Sequence, residues 1–378
     1  MELSYFIQPV HPIGRPYGQT LQEDMESIIL ADRLGYEEAF VGEHFTDLAE
    51  PITSSLLFLA RLIGETDRIK LGTGVTNLPV YHPVMIAGQV AMMDQMLNGR
   101  FIWGIGPGGQ PSDVEAFGNW ELDRNLKMVE VFDQVMELWW GDAPYDVTGE
   151  FHSFATTRTY NPEIGQGIAP KPLQEPHPPV VVTALAPYSH GITLAAERGW
   201  QPISCQYVQA YWVATHLPKY LEGRANAGLP QDPMGWRVAK CIFVAEDEAT
   251  ARAYAKSEDG PYGFYFSNLM KKLGGGGRIG LFGTYPDQPE EEITLRQSLD
   301  TQVIAGTVDS VTDQILELRE QIGPFGTLVY TGLDWADKAL GVRSMELMAE
   351  QVMPRVNAAI RDDEREISRK VDAAGALV

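Results

Sequence analysis

Eight short runs of apolar or small residues, each the length of one buried strand, recur from one end of the chain to the other. They occupy residues 4–10, 37–43, 69–75, 101–106, 179–183, 201–205, 236–245 and 326–331. Most lack an apolar–polar alternation, as strands covered on both faces do. Helical patterns lie between them. Residues 20–34 open with Thr20 and Glu23 at capping-box spacing and stripe Leu21, Met25, Ile28 and Ile29, while 309–322 aligns Val311, Ile315, Leu318 and Ile322. A strand–helix unit repeated about eight times predicts an α/β fold, a single (β/α)8 TIM barrel. A doubly wound open sheet is the competing arrangement, and eight units in one chain weigh against it.

Two stretches interrupt the alternation. Residues 141–179 hold a hairpin around Gly149 and then a proline-rich connector from Pro170 to Pro179. Residues 253–305 form a longer insertion before the last helix–strand unit, with Tyr262, Phe264, Tyr265, Phe266, Gly274–Gly277 and an acidic run at 286–292. So long an insertion in a compact domain reads as a lid over a pocket or as a surface excursion. The expected organisation is a barrel over 1–360, followed by a charged tail over 361–378.

Composition narrows the partners. With 29 basic against 51 acidic residues the formal charge is −22, which excludes a phosphate-neutralising nucleic-acid surface. No apolar run is long enough to span a bilayer and no secretory leader is visible, so no membrane partner and a cytoplasmic location are expected. Cys205 and Cys241 are too few for a disulfide framework, and the seven histidines show no metal-ligand spacing. A G-x-S-x-G elbow is also missing, which removes the usual hydrolase reading.

Barrel sites gather at the C-terminal ends of strands. There the sequence places Gly42-Glu43-His44, then Gly72 to Asn77, then Gly104 to Gly109, then Ala186 to Gly191. His44 is either a general base or a capped structural histidine. The Gly104–Gly109 run spells G-x-G-x-x-G, but Pro107 and Pro111 deny it the long helix of a dinucleotide site, leaving a tight turn with open backbone donors. Residues 186–191 suit an anion at a helix start, or simple N-capping by Ser189.

Taken together and in order, these motifs resemble the bacterial luciferase-like flavin monooxygenases. The residues that carry the likeness are Gly42-Glu-His44, Leu71 to Pro79, His82-Pro83, Asp94 to Arg100, Gly104 to Asp113 and the connector Pro172 to Pro179. Gln8-Pro-Val-His-Pro12 and the run ending in Asp113 look closest to the limonene-monooxygenase and diketocamphane-monooxygenase branches. The likeness spans about residues 3–355.

The resemblance implies FMN, delivered reduced by a separate NAD(P)H:flavin reductase, with O2 as co-substrate and a C4a-(hydro)peroxyflavin as oxidant. It implies a small apolar substrate (ketone, aldehyde or alkene, terpenoid-like) and leaves Baeyer–Villiger insertion, aldehyde oxidation and epoxidation open. It assigns His44 as the flavin-adjacent base, and a cis peptide at Gly74–Val75. Flavin contacts fall at Gly74, Val75, Asn77, Gly106, Arg124, Tyr188, Ser189, His190 and Gly191, and the substrate pocket at Gln8, Glu43 and Gln110. Gly106-Pro107 and Gln110 depart from the family pattern by removing one phosphate-binding cation, so weak FMN holding is expected. A homodimer is implied through helices 52–64 and 84–97, by Leu56, Leu57, Leu59, Met85 and Met92. A deazaflavin-dependent hydride transferase of the same barrel, or a non-catalytic flavin-binding homologue, are the other readings.

Overall fold

The computed structural model describes residues 1–8, 10–362 and 365. Among them eight parallel strands close into a barrel. They are β1 (Glu2–Ile7), β2 (Glu38–Val41), β3 (Lys70–Thr73), β4 (Phe101–Gly106), β5 (Val180–Ala184), β6 (Gln201–Ser204), β7 (Arg237–Val244) and β8 (Thr327–Gly332). Each pairs with the next, and β1 pairs with β8 from Glu2↔Thr327 to Ile7↔Gly332. All eight strands read from the sequence are present, with ends displaced by a few residues.

Phe6, Phe40, Ile102, Val181 and Ile203 pack against one another as one small cluster of the core. Toward the strand starts, Arg237 and Glu38 face each other through two 2.7 Å bonds, both buried. A larger apolar layer joins strands to helices, among them Tyr17–Leu34, Pro83–Met96, Arg124–Trp140 and Val308–Ile322. The last carries its apolar stripe inward as the sequence indicates, with Val311, Ile315, Leu318 and Ile322 buried. The first corrects an expectation: it starts at Tyr17 behind Pro16, so Thr20 is not a cap but lies inside the helix, donating its hydroxyl to the Tyr17 carbonyl at 2.8 Å. Glu23 instead receives Arg15. Next to it, buried His11 bridges Asp334 at 2.7 Å and Asp24 at 3.2 Å. Burial opposes its charge, but the two carboxylates raise its pKa to about 9.

The third strand is shorter than its sequence signal. It stops at Thr73, passes through a cis Gly74–Val75 peptide, and resumes as Thr76–Asn77 beside the end of β4. Two glycines admit this detour. A Cβ on Gly104 would stand 1.7 Å from the Thr73 carbonyl, and one on Gly106 would stand 2.5 Å from Val75 Cγ2.

The insertion is more ordered than a loop. It contains helices Pro261–Gly274 and Leu295–Gln302 and ends in a strand, Val303–Gly306, paired with the second half of β7. Tyr262, Tyr265, Phe266 and Phe282 pack with Cys241 and Phe243 in a second core. The aromatics are therefore ballast for the insertion and do not hang freely over a pocket. A hairpin, Asp146–Thr148 with Ser153–Ala155, sits where Gly149 indicates, and Asp94 pins the connector through the Leu173 and Gln174 amides. On the helices Ser55–Leu62 and Pro83–Met96, Leu57, Met85 and Met92 are exposed. Leu56 and Leu59 are core residues, which corrects their place on an outer face. The tail 361–378 lies outside the described residues apart from 361, 362 and 365.

Candidate active site

Just beyond the end of β2, Glu43 and His44 make separate sets of contacts. Glu43 is buried and accepts from the Ser55 amide (3.1 Å), the Ser55 hydroxyl (3.0 Å) and the Tyr81 phenol (3.0 Å). Asn77 donates its side-chain amide to the Glu43 carbonyl at 3.0 Å. Burial pushes the Glu43 carboxyl upward, against these donors. Glu43 thus ties the β2 turn to the β3 detour and does not line the cleft, where the sequence reading put it.

His44 points to the mouth and is 26% exposed. Its Nε2 sits 3.0 Å from Glu50 Oε2, and its Nδ1 lies 3.5 Å from Asp113 Oδ2 without hydrogen-bond alignment. Asp113 spends its oxygens on the Phe45 amide (3.1 Å), the Thr46 amide (2.8 Å) and the Thr46 hydroxyl (2.6 Å). Burial works against charge on the imidazole, but Glu50 and Asp113 outweigh it and raise His44 to about 10. Burial likewise opposes charge on Glu50, yet His44 and Lys272 hold it down to about 2. The pair is charge-separated at neutral pH. His44 is an imidazolium set between two carboxylates, Glu50 at Nε2 and Asp113 at Nδ1.

Around this pair runs a polar chain. Gln8 donates to Glu50 Oε2 at 2.9 Å, Gln206 donates to Gln8 at 3.1 Å and to the Tyr265 phenol at 2.6 Å. Lys272 contacts Glu50 Oε1 at 2.6 Å and also pairs with Asp47, which accepts from Gln110 at 3.0 Å. Glu50, Asp113, Gln206 and Lys272 went unread in the sequence. Asp113 ends a quoted motif and Glu50 follows His44 closely, whereas nothing local marks Gln206 or Lys272.

A small cleft, open to solvent, brings together His44, Asn77, Gly108, Gly109, Gln110 and Arg124. Arg124 opens the helix Arg124–Trp140 behind its N-cap Asp123 and donates to the Gly108 carbonyl at 2.5 Å. A Cβ on Gly109 would meet nothing within 4 Å, so the backbone there is open to a ligand. Residues 188–191 stand on the adjoining rim, because β4 and β5 are neighbours. Tyr188 has φ 52 and donates its amide to Thr215 at 2.9 Å, and Ser189 makes no capping bond to the helix His190–Glu197. Plain capping by Ser189 is therefore not what is observed, and the helix start is exposed at His190 and Gly191, where an anion can reach backbone amides. A glycine-floored cleft, a cation at its edge, an uncapped helix start and an imidazolium beside them fit a flat group with an anionic tail and an oxygen to be protonated.

Residues 1–324 match the luciferase-like monooxygenase family. The chain is 32% identical over 364 residues to 4-hydroxyprotoasukamycin monooxygenase of Streptomyces nodosus subsp. asukaensis, covering 94% of this chain and 92% of that protein. It is 29% identical to limonene 1,2-monooxygenase of Rhodococcus erythropolis, covering 94% and 87%. Among solved structures, the oxygenating constituent of 3,6-diketocamphane monooxygenase from Pseudomonas putida, a Type II Baeyer-Villiger monooxygenase in complex with FMN, superposes with a TM-score of 0.85. It is 25% identical, over 94% of this chain and 98% of that one.

Proposed function

The chain belongs to the luciferase-like monooxygenases, flavin-dependent enzymes, and within that family we propose that it is the oxygenase half of a two-component system. It would take FMN already reduced by a separate reductase, together with O2, and oxygenate a small organic molecule with an apolar frame. The observation that carries this reading is the His44–Glu50 ion pair at the rim of the cleft that Arg124 also lines.

The residues present fit FMN. Arg124 and the amides at the start of the helix His190–Glu197 would hold the phosphate, and Gly109, beside Gly108 and Asn77 in the cleft wall, leaves backbone room for the ring. Reduced FMN, when bound, supplies the electrons that activate O2. The protein's own part is to hold one proton. His44 is held at Nε2 by Glu50 and at Nδ1 by Asp113, so its ring orientation is fixed and it holds the proton that would go to an oxygen atom in the cleft. Gln8 donates to the Glu50 carboxylate that pairs with the ring. Among the described residues that line the cleft, Arg124 is the one lysine or arginine, and such a phosphate site suits a flavin that arrives and leaves as a substrate does.

The test is anaerobic titration of wild type and Arg124→Ala with reduced FMN. A lost charged hydrogen bond is worth about 1.5–3 kcal/mol, so affinity should fall about 10- to 150-fold with the melting curve unchanged. An Arg124→Ala variant that binds reduced FMN as well as wild type, or wild type that binds none, would overturn the proposal.

A further inference from the structure

The insertion reaches the site through one charged side chain. Lys272 lies near the end of helix Pro261–Gly274, whose Tyr262, Tyr265, Phe266 and Leu269 are buried in the insertion's own core. Its ammonium sits 2.6 Å from Glu50 Oε1, while Glu50 Oε2 holds His44 Nε2 at 3.0 Å. One carboxylate is shared by a cation from the insertion and a cation from the β2 turn. We propose that Lys272 is a positioning residue: seating of the insertion places its ammonium on Glu50, and that sharing sets how firmly His44 keeps its proton. This rests on the reading of His44 as the proton-holding group of the monooxygenase.

Two cations drawing on one carboxylate repel each other, so a seated Lys272 weakens the grip of Glu50 on the imidazolium. With the insertion lifted, His44 and Glu50 are left as an undiluted pair and the proton is held harder. Closing the insertion therefore loosens the proton when water is being excluded. The other groups facing this pair do not reverse the sign. Asp113, on the helix Pro111–Ala116, and Asp47 are carboxylates, and Arg124 lines the same cleft. Tyr207 and Tyr265 flank Glu50 as phenols that burial keeps protonated, and Glu43 is turned away toward Ser55 and Tyr81. Burial of Lys272 opposes its charge, but Glu50 and Asp47 more than restore it and shift its pKa upward.

The experiment uses full-length wild type, Lys272→Met and Lys272→Arg with ring-labelled histidine, followed by NMR, the His44 signal being identified by its loss in His44→Asn. At a pH of about 10, where the wild-type ring is about half protonated, Lys272→Met should raise the ratio of charged to neutral ring about tenfold, and Lys272→Arg should restore it. Amide exchange across 261–282 should quicken in Lys272→Met and recover in Lys272→Arg. Faster exchange with an unchanged His44 ratio makes Lys272 a mere clasp and overturns the proposal. No change in either does the same. Neither measurement needs flavin or turnover, so failure here is distinguishable from failure of the monooxygenase reading.

Discussion

Replacing Glu50 by glutamine removes the charge that pairs with His44 while keeping the shape of the side chain. In wild type the imidazole stands at about 10 against its ordinary 6.5, a difference that converts to about 5 kcal/mol of proton affinity gained on folding. The same attraction depresses Glu50 to about 2, so the two effects are one and are not added. A folded value above the unfolded one stabilises fully below pH 6.5 and fades as pH rises through 10. A depressed carboxylate stabilises above pH 4.5 and fades as pH falls through 2. Near neutrality both conditions hold, so the pair contributes its full share there. In Glu50→Gln, burial and Lys272 still disfavour the imidazolium and Asp113 at 3.5 Å remains its main support. His44 should then titrate below 7, and urea unfolding at neutral pH should show a loss of about 3–5 kcal/mol, the cost of breaking a buried pair. His11 also loses its proton on the alkaline side, at about 9, so the difference between variant and wild type isolates His44. A loss under about 1 kcal/mol, the value of an exposed pair, would refute the buried ion pair. So would a wild-type His44 that titrates at its ordinary pKa.

His44→Ala should cut oxygen transfer by about 10²- to 10⁴-fold, the usual worth of an acid–base group, with reduced-flavin affinity nearly unchanged and hydrogen peroxide released instead of product. Peroxide and product assays on one sample check this. Gly106→Ala places a methyl 2.5 Å from Val75 Cγ2, and the displaced bulge should cost about 1–3 kcal/mol and weaken flavin binding, measured by melting and titration. Leu57 (74% exposed), Met85 and Met92 are exposed on two helices that touch, which leaves an apolar surface. We expect it to pair with a second copy, so that Leu57→Glu with Met92→Glu turns a dimer into a 41.9 kDa monomer in sedimentation.

The barrel was legible because buried parallel strands leave a one-dimensional mark. Phe101–Gly106 is a strand over the same residues that its apolar run occupies. Val303–Gly306 left no such mark: four residues long, it follows directly on a polar helix in which only Leu295 and Leu299 carry an aliphatic side chain. The order inside the insertion was hidden for a related reason. Pro261 and the glycines after Leu273 are helix breakers by type, but they cap the two ends of one helix whose aromatics build a core. In the site, His44, Asn77, Gln110 and Arg124 do meet at one cleft. The charge state of His44 was not readable, since it depends on Glu50, Asp113 and Lys272, and Lys272 lies 222 residues from Glu50. Only closure of the barrel, with the insertion laid on its mouth, brings them together.

The most direct test of an oxygenase that receives reduced flavin is rapid mixing of the anaerobic protein–reduced FMN mixture with oxygenated buffer, read by flavin absorbance beside free reduced FMN. Wild type should change the course of reoxidation away from that of the free flavin, and His44→Ala should change it again at equal bound flavin. Traces that coincide with free FMN at protein concentrations above the measured Kd would contradict the account.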